Sequence, residues 1–196
     1  MGDIVLAGAT SGTTTLTPAA VSGTTTLTLP ATTGTFLTTT SPKAGNVIQV
    51  VSTNLTTTFS SAATTFSDIT GLSVSITPSS ASNKVLVIVD MTGQGVNAVN
   101  QSQFRLLRDS TVIDAGAAAG AQSLGFAGAI PADNNCPVTF GASFLDSPAT
   151  TSSTTYKVQC RTSSGGTTYV NFAQGDSSDV NRIRTASTIT VMEVAG

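Results

Sequence analysis

The chain has 196 residues, of which 9% are charged against the ~25% usual for soluble domains; its net charge is −2 and it contains no histidine. The missing imidazole removes Ser-His-Asp, Cys-His and most zinc arrangements together. Outside Arg105 with Arg108 and Arg182 with Arg184 there is no close basic pair, so no nucleic-acid footprint is expected. A surface solvated by hydroxyls and amides fits a protein used at high local density on an assembled structure.

Residues 1–45 form a repeat arm. Ser11 to Thr17 reads Ser-Gly-Thr-Thr-Thr-Leu-Thr, the same phrase returns at Ser22 to Thr28, and a looser copy runs from Thr33 to Thr39. Gly12, Gly23, Gly34 and Gly45 stand eleven residues apart. Each unit puts a glycine, which turns cheaply, before β-branched threonines and one or two large apolar residues, the pattern of a turn and a short strand. Large apolar side chains are too few to offset the backbone entropy of ordering this segment alone. It is therefore a disordered linker or it packs against copies of itself or a partner. The strict period favours packing, with Leu16, Leu27, Leu29, Phe36 and Leu37 as the assembly or attachment contacts.

Met1-Gly2-Asp3 precedes an apolar run of six residues with no basic residue before it, which is no export signal. Leu6 stands where a myristoylation pattern needs Ser or Thr. The most apolar run, Val85 to Val89, is far too short to cross a bilayer. The expectation is a soluble product made in a cytoplasm, without membrane insertion, in which Asn54-Leu55-Thr56 and Asn100-Gln101-Ser102 match the glycosylation pattern by chance.

Composition changes near Ser41 to Gly45, and residues 46–196 read as an all-β domain. Asn46 to Thr53 carries Val47, Ile48, Val50 and Val51. Leu72-Ser-Val-Ser-Ile76 alternates cleanly, predicting one buried face. Lys84 to Met91 is apolar on both parities, so it is expected to be covered on both faces, by the opposite sheet and by a subunit neighbour or a long loop. Val85, Val87 and Val89 thus mark a trimer-contact or core strand. Gln103 to Arg108 puts Phe104 and Leu106 on one face and Arg105 and Leu107 on the other; Asp109 to Thr111 turns the chain and Val112-Ile113 returns it. Ala115 to Ala121 is small and glycine-rich, a loop or a close crossing. Further strands are expected at Ser123–Ala127, Pro137–Leu145, Thr155–Thr162, Thr167–Phe172 and Ser187–Val194. Eight to ten strands and no convincing helix describe an antiparallel β-sandwich of jelly-roll type with an extended amino-terminal β-repeat arm.

Candidate chemistry is sparse. Strand parity turns both Cys136 and Cys160 inward as small buried hydrophobes; a disulfide is the second reading and a reactive or metal-binding role the third. Lys43, Lys84 and Lys157 read as exposed solubilising residues with no serine or threonine scheme built on them. Asp176 and Asp179 suit turn chemistry, with a weak calcium site as the alternative. Gly93-Gln94-Gly95 and Gly125-Phe126-Ala127-Gly128 lack the strand-glycine-helix context of a phosphate cradle. Phe126, Tyr156, Tyr169 and Phe172 fit core better than a sugar platform. Any receptor contact is expected on loops, at Gly93 to Gln101 or Gly175 to Asn181. No catalytic, cofactor or metal site is expected, and the chain reads as a non-enzyme.

The arm phrase from Ser22 to Thr39 resembles arm segments of tailed-bacteriophage fibre and virion surface proteins. The remainder resembles the globular head of such proteins, similar to trimeric jelly rolls of the C1q and tumour-necrosis-factor class. The phrases that carry this are Leu72 to Val87, Phe104 to Ile113, Phe144 to Gln159 and Thr188 to Val194. The resemblance implies a homotrimer joined to the virion by its arms, with the major capsid protein or another virion protein as partner. Capsid decoration, cement or head-fibre protein is the first expectation; a host-binding tail fibre or adhesin tip, meeting a surface glycan or protein, is the alternative. The resemblance supplies no functional residues.

Overall fold

Alternation of apolar and polar residues builds the long strands of the computed structural model, which describes residues 4–7, 11–17, 42–95, 101–129, 137–174 and 180–196. The chain divides into two compact units, Met1–Phe36 and Leu37–Gly196. In the first, β1 (Ile4–Ala7) pairs antiparallel with β2 (Thr13–Leu16), Ile4 opposite Leu16 and Ala7 opposite Thr13. Gly12 supplies the reversal at φ +81°, a conformation that costs glycine little. The first repeat phrase is thus a turn and a strand, as expected; the second and third lie outside the described residues.

The second unit contributes β3 (Val47–Leu55), β4 (Phe59–Ser61), β5 (Ser67–Ile76), β6 (Lys84–Gln94), β7 (Ser102–Arg108), β8 (Thr111–Ile113), β9 (Ala127–Ala129), β10 (Val138–Asp146), β11 (Thr154–Thr162), β12 (Thr168–Val170) and β13 (Ser187–Val194). All pairings are antiparallel. One sheet runs β3-β13-β6-β10, with β12 following β13 along the edge of β6 and β4 beyond it. The other runs β5-β11-β7-β8, with β9 beside the other end of β7. Numbering the principal strands in chain order, the sheets read 1-8-3-6 and 2-7-4-5, the jelly-roll order. The fold is an all-β antiparallel sandwich of jelly-roll type.

Inward residues of both sheets form one core, including Val85, Val87, Val89, Ile189 and Val191 from the first sheet and Leu72, Val74, Phe104, Leu106, Tyr156, Val158 and Cys160 from the second. Phe104 and Phe140 meet across the sandwich with ring centroids 4.8 Å apart. Such tilted aromatic pairs add to their area burial.

Two elements differ from expectation. A strand expected at Ser123–Ala127 lies instead at Ala127–Ala129, because residues 122–125 cross β7 too closely to pair regularly. A Cβ at Gly125 would stand 2.2 Å from the Phe104 carbonyl oxygen, while the Phe126 amide donates to that same oxygen at 3.1 Å. The short strand β4, unanticipated, has little alternation of its own and exists as the partner of β12. No helix among the described residues is long and apolar enough to cross a membrane.

Candidate functional site

The two parities of β6 meet different environments. Val85, Val87 and Val89 point into the sandwich and are fully buried or nearly so. Leu86 and Ile88 point the other way and remain half-buried in the single chain. Strand register extends this outward face across the whole sheet, because Leu86 lies opposite Met192 on one side and Leu145 on the other, and Met192 lies opposite Val50. The result is one apolar row crossing four strands, Val50-Met192-Leu86-Leu145. Ile88 continues it on one flank; Val194 and Val47, paired with each other, continue it on the other. Val47 and Val50 are each 55% exposed and Leu145 is 48% exposed. Farther along the same face the rows become polar: Ser52 shares a hydrogen bond with Thr190 at 2.8 Å, and the next row holds Asn54, Thr188, Asp90 and Gly141. An apolar patch with a polar margin is the usual signature of a contact surface.

Apart from Leu107, which stands opposite Val112, the outward face of the second sheet is built from polar cross-strand pairs. Arg105 donates through Nε and Nη2 to Gln159 Oε1 at 2.8 and 2.6 Å, Gln159 reaches Asp68, and Lys157 Nζ lies 2.8 Å from Asp68. The bond from Lys157, and then that from Gln159, hold the Asp68 carboxyl below its usual value. At the end of the face Arg161 Nε donates to Gln103 Oε1 at 2.8 Å, and the Arg105 and Arg161 guanidiniums stand 4.0 and 5.5 Å from the Phe66 ring centre. There the face borders a cleft of about 280 Å³ lined by Phe66, Gln101, Gln103, Phe104 and residues 123–128.

Three charged residues occupy core parity at strand ends, and each is satisfied. Asp146 is 5% exposed. It accepts two bonds from Arg108 Nη1, at 2.8 and 2.9 Å, and one from the Tyr156 hydroxyl at 2.7 Å. Burial, then the bond to this carboxylate, pushes the Tyr156 phenol above its ordinary range. Glu193 is fully buried. Its carboxylate accepts from the Ser79 amide and hydroxyl, both at 2.7 Å, from Asn83 Nδ2 and from Gln49 Nε2. Burial acts to raise the Glu193 pKa, but the bonds from Asn83, Gln49 and Ser79 outweigh it and hold it below the ordinary carboxyl value. These groups pin the 77–83 loop and the strand ends.

The remaining sequence candidates fall as follows. Leu16 ends β2, whereas Leu27, Leu29, Phe36 and Leu37 lie outside the described residues, as do Cys136, Asp176 and Asp179. Cys160 is a free, buried thiol whose pKa burial pushes up to about 12. Tyr169 and Phe172 pack edge to face at 5.0 Å. Lys43 and Lys84 are exposed. Among the described residues no three His, Cys, Asp or Glu side chains gather where they could hold a metal.

No protein-family model and no curated protein matches the chain. Among the described residues the two outward faces thus differ, one carrying an apolar row and the other a set of mutually bonded polar side chains.

Proposed function

We propose that the chain is a structural protein of a bacteriophage virion, a homotrimer that decorates or cements the outer capsid surface, with the repeat arm as attachment segment and the jelly roll projecting outward. The observation that carries this is the apolar row Val50-Met192-Leu86-Leu145 on an outward sheet face, in a chain of which only 9% of residues are charged. Packing three such faces around an axis removes the row from water and leaves the polar sheets outside. The jelly-roll strand order is the one the resemblance to trimeric phage heads implies. The attachment mechanism is mass action: a subunit that binds only the assembled shell stabilises it by RT ln(1 + [L]/Kd). The protein needs no catalytic group or cofactor for this, and it acts in the virion after synthesis in the host cytoplasm.

The cleft between Phe66 and residues 123–128 favours a second reading, a receptor-binding tip on the tail. Immunogold labelling or a low-resolution virion map separates the two; label confined to the tail sinks the capsid reading. Deleting residues 1–40 is expected to leave a trimeric head that no longer attaches to particles, and retained attachment would remove the arm from the mechanism.

A further inference from the structure

A strand that ends a sheet carries a row of unpaired backbone groups, and folded proteins blunt such edges with charge, proline, a bulge, short length or cover. Most edges of this sandwich are treated in one of these ways. β4, β8 and β9 are three residues each. β5 carries Asp68, a register shift against β11 and Gly71 at φ +88°. β3 lies against β5, where Gln49 Nε2 donates to the Thr77 carbonyl at 2.8 Å. β10 has none of these devices. It is nine residues long, pairs with β6 without a shift from Val138 opposite Gly93 to Asp146 opposite Val85, and among the described residues makes no backbone bond on its other side. It contains no proline, lysine or arginine, and its one charge, Asp146, turns inward to Arg108 and Tyr156. Beside this free edge Phe140, Ala142 and Phe144 stay half-buried, although they pack against the core.

The sequence of this edge fits a copy of itself. Two identical strands side by side and antiparallel are related by a two-fold axis, so each contributes the same surface. With the axis at Ala142 all nine residues overlap, and Phe144 of each copy stands opposite Phe140 of the other, Ser143 opposite Gly141, Leu145 opposite Thr139 and Asp146 opposite Val138. No like charges meet. The two aromatic pairs fall on the half-buried inward parity, where cross-strand aromatic contacts stabilise a sheet. We propose that the outer edge of β10 pairs antiparallel with β10 of a second copy of this chain, about a two-fold axis at Ala142, so that one continuous sheet joins two heads. A second copy is the occupant because this register saturates both free edges at once. The contact uses the edge of β10 and not the outward apolar row, so it goes beyond the trimer reading: a trimer would carry three such edges, and they would link it to neighbouring trimers.

The test is sedimentation of the full chain as its concentration is raised to about 1 mM, the effective concentration of neighbours held on one scaffold. The mass in dilute solution reads the trimer and its rise to at least twice that value reads the edge contact, so the two can fail separately. The rise is expected in the unmodified chain. Ala142→Glu and Ala142→Lys each set like charges face to face at the axis and should weaken the pairing by about tenfold or more. An equal mixture of the two variants sets opposite charges there and should restore it, which a defect of folding would not allow. Hydrogen exchange on the unmodified chain repeats the test without a substitution: alternate amides of β10 should exchange about tenfold more slowly at the concentration where the mass rises. An unmodified chain whose mass stays constant, an undiminished rise in either folded variant alone, a mixture of folded variants that fails to associate, or β10 exchange indifferent to concentration overturns the proposal.

Discussion

β11 and β13 are the second-to-last and last long strands of the jelly roll, one central in each sheet, and both alternate strictly between buried and partly exposed positions. Their inward residues are interchangeable in kind, Tyr156, Val158 and Cys160 against Ile189 and Val191. Their outward residues are not. β11 presents Thr155, Lys157, Gln159 and Arg161, each in line with a polar neighbour on β5 or β7, while β13 presents Thr188, Thr190, Met192 and Val194, the last two within an apolar row. The core dictates the inward set in both sheets. The outward set is free of that demand, so the two faces differ in kind: polar cross-strand pairs on one, an apolar row on the other.

Three experiments would break or sharpen this contrast. The largest effect is expected from Leu86→Asp, which places a charge in the middle of the apolar row. A buried unpaired carboxylate costs several kcal/mol, and at about 1.4 kcal/mol per tenfold association should weaken by roughly 100-fold or more. Light scattering should fall from about three times the 19.6 kDa chain mass toward one. The matching change on the other sheet, Ser73→Asp, should leave the trimer intact. A wild-type monomer, or equal loss in both variants, would remove the distinction between the faces.

Next come the charged groups on core parity, which stabilise the sandwich without belonging to either face. Asp146→Ala leaves Arg108 and the Tyr156 hydroxyl without their anion and is expected to cost about 2–4 kcal/mol in urea unfolding. Tyr156→Phe removes one donor and should cost about 1–2 kcal/mol. Both should spare the oligomeric state of whatever folds.

The smallest effect is one of pH. Because the folded Glu193 pKa lies below the unfolded reference of 4.5, its contribution is fully present above that reference and is lost as pH falls through the folded value. Glu193→Gln should flatten the acid limb of the stability profile below about pH 4.5 relative to wild type, while lowering stability at neutral pH. An acid limb unchanged by the substitution would show that other carboxyls carry it.

Local pattern made several features legible in the sequence. Leu72, Val74 and Ile76, and Tyr156, Val158 and Cys160, alternate with polar residues over whole strands, and each set is buried as expected. The double apolar parity of residues 85–89 led to an expectation of cover on both faces; in the structure only Val85, Val87 and Val89 are buried, and Leu86 and Ile88 stay half-buried on the outward face. Asp146 and Glu193 were legible in principle. Asp146 follows Phe140, Ala142 and Phe144 on the inward parity of β10, and Glu193 follows Ile189 and Val191 on that of β13; an acid continuing a core stripe must find donors. The donors themselves were not legible. Ser79 and Asn83 are more than a hundred residues from Glu193, and nothing local specifies that meeting. The stacking of Arg105 and Arg161 on Phe66 was hidden for the same reason: the three come together only through the registers β5-β11 and β11-β7.

One feature of the strand order bears on how such a protein is made. β13 lies between β3 and β6, although its partner residues on β3 stand up to 147 positions away in sequence, Val47 opposite Val194. Until the ribosome has produced β13, β3 has no neighbour on that edge, Met192 is absent from the row it completes, and the loop fastened by Glu193 is loose. Pairings this distant in sequence also form slowly. The apolar row is consequently completed only after β13 has paired, so in the assembly proposed above neighbouring nascent chains on one polysome would have no finished face with which to stick to one another.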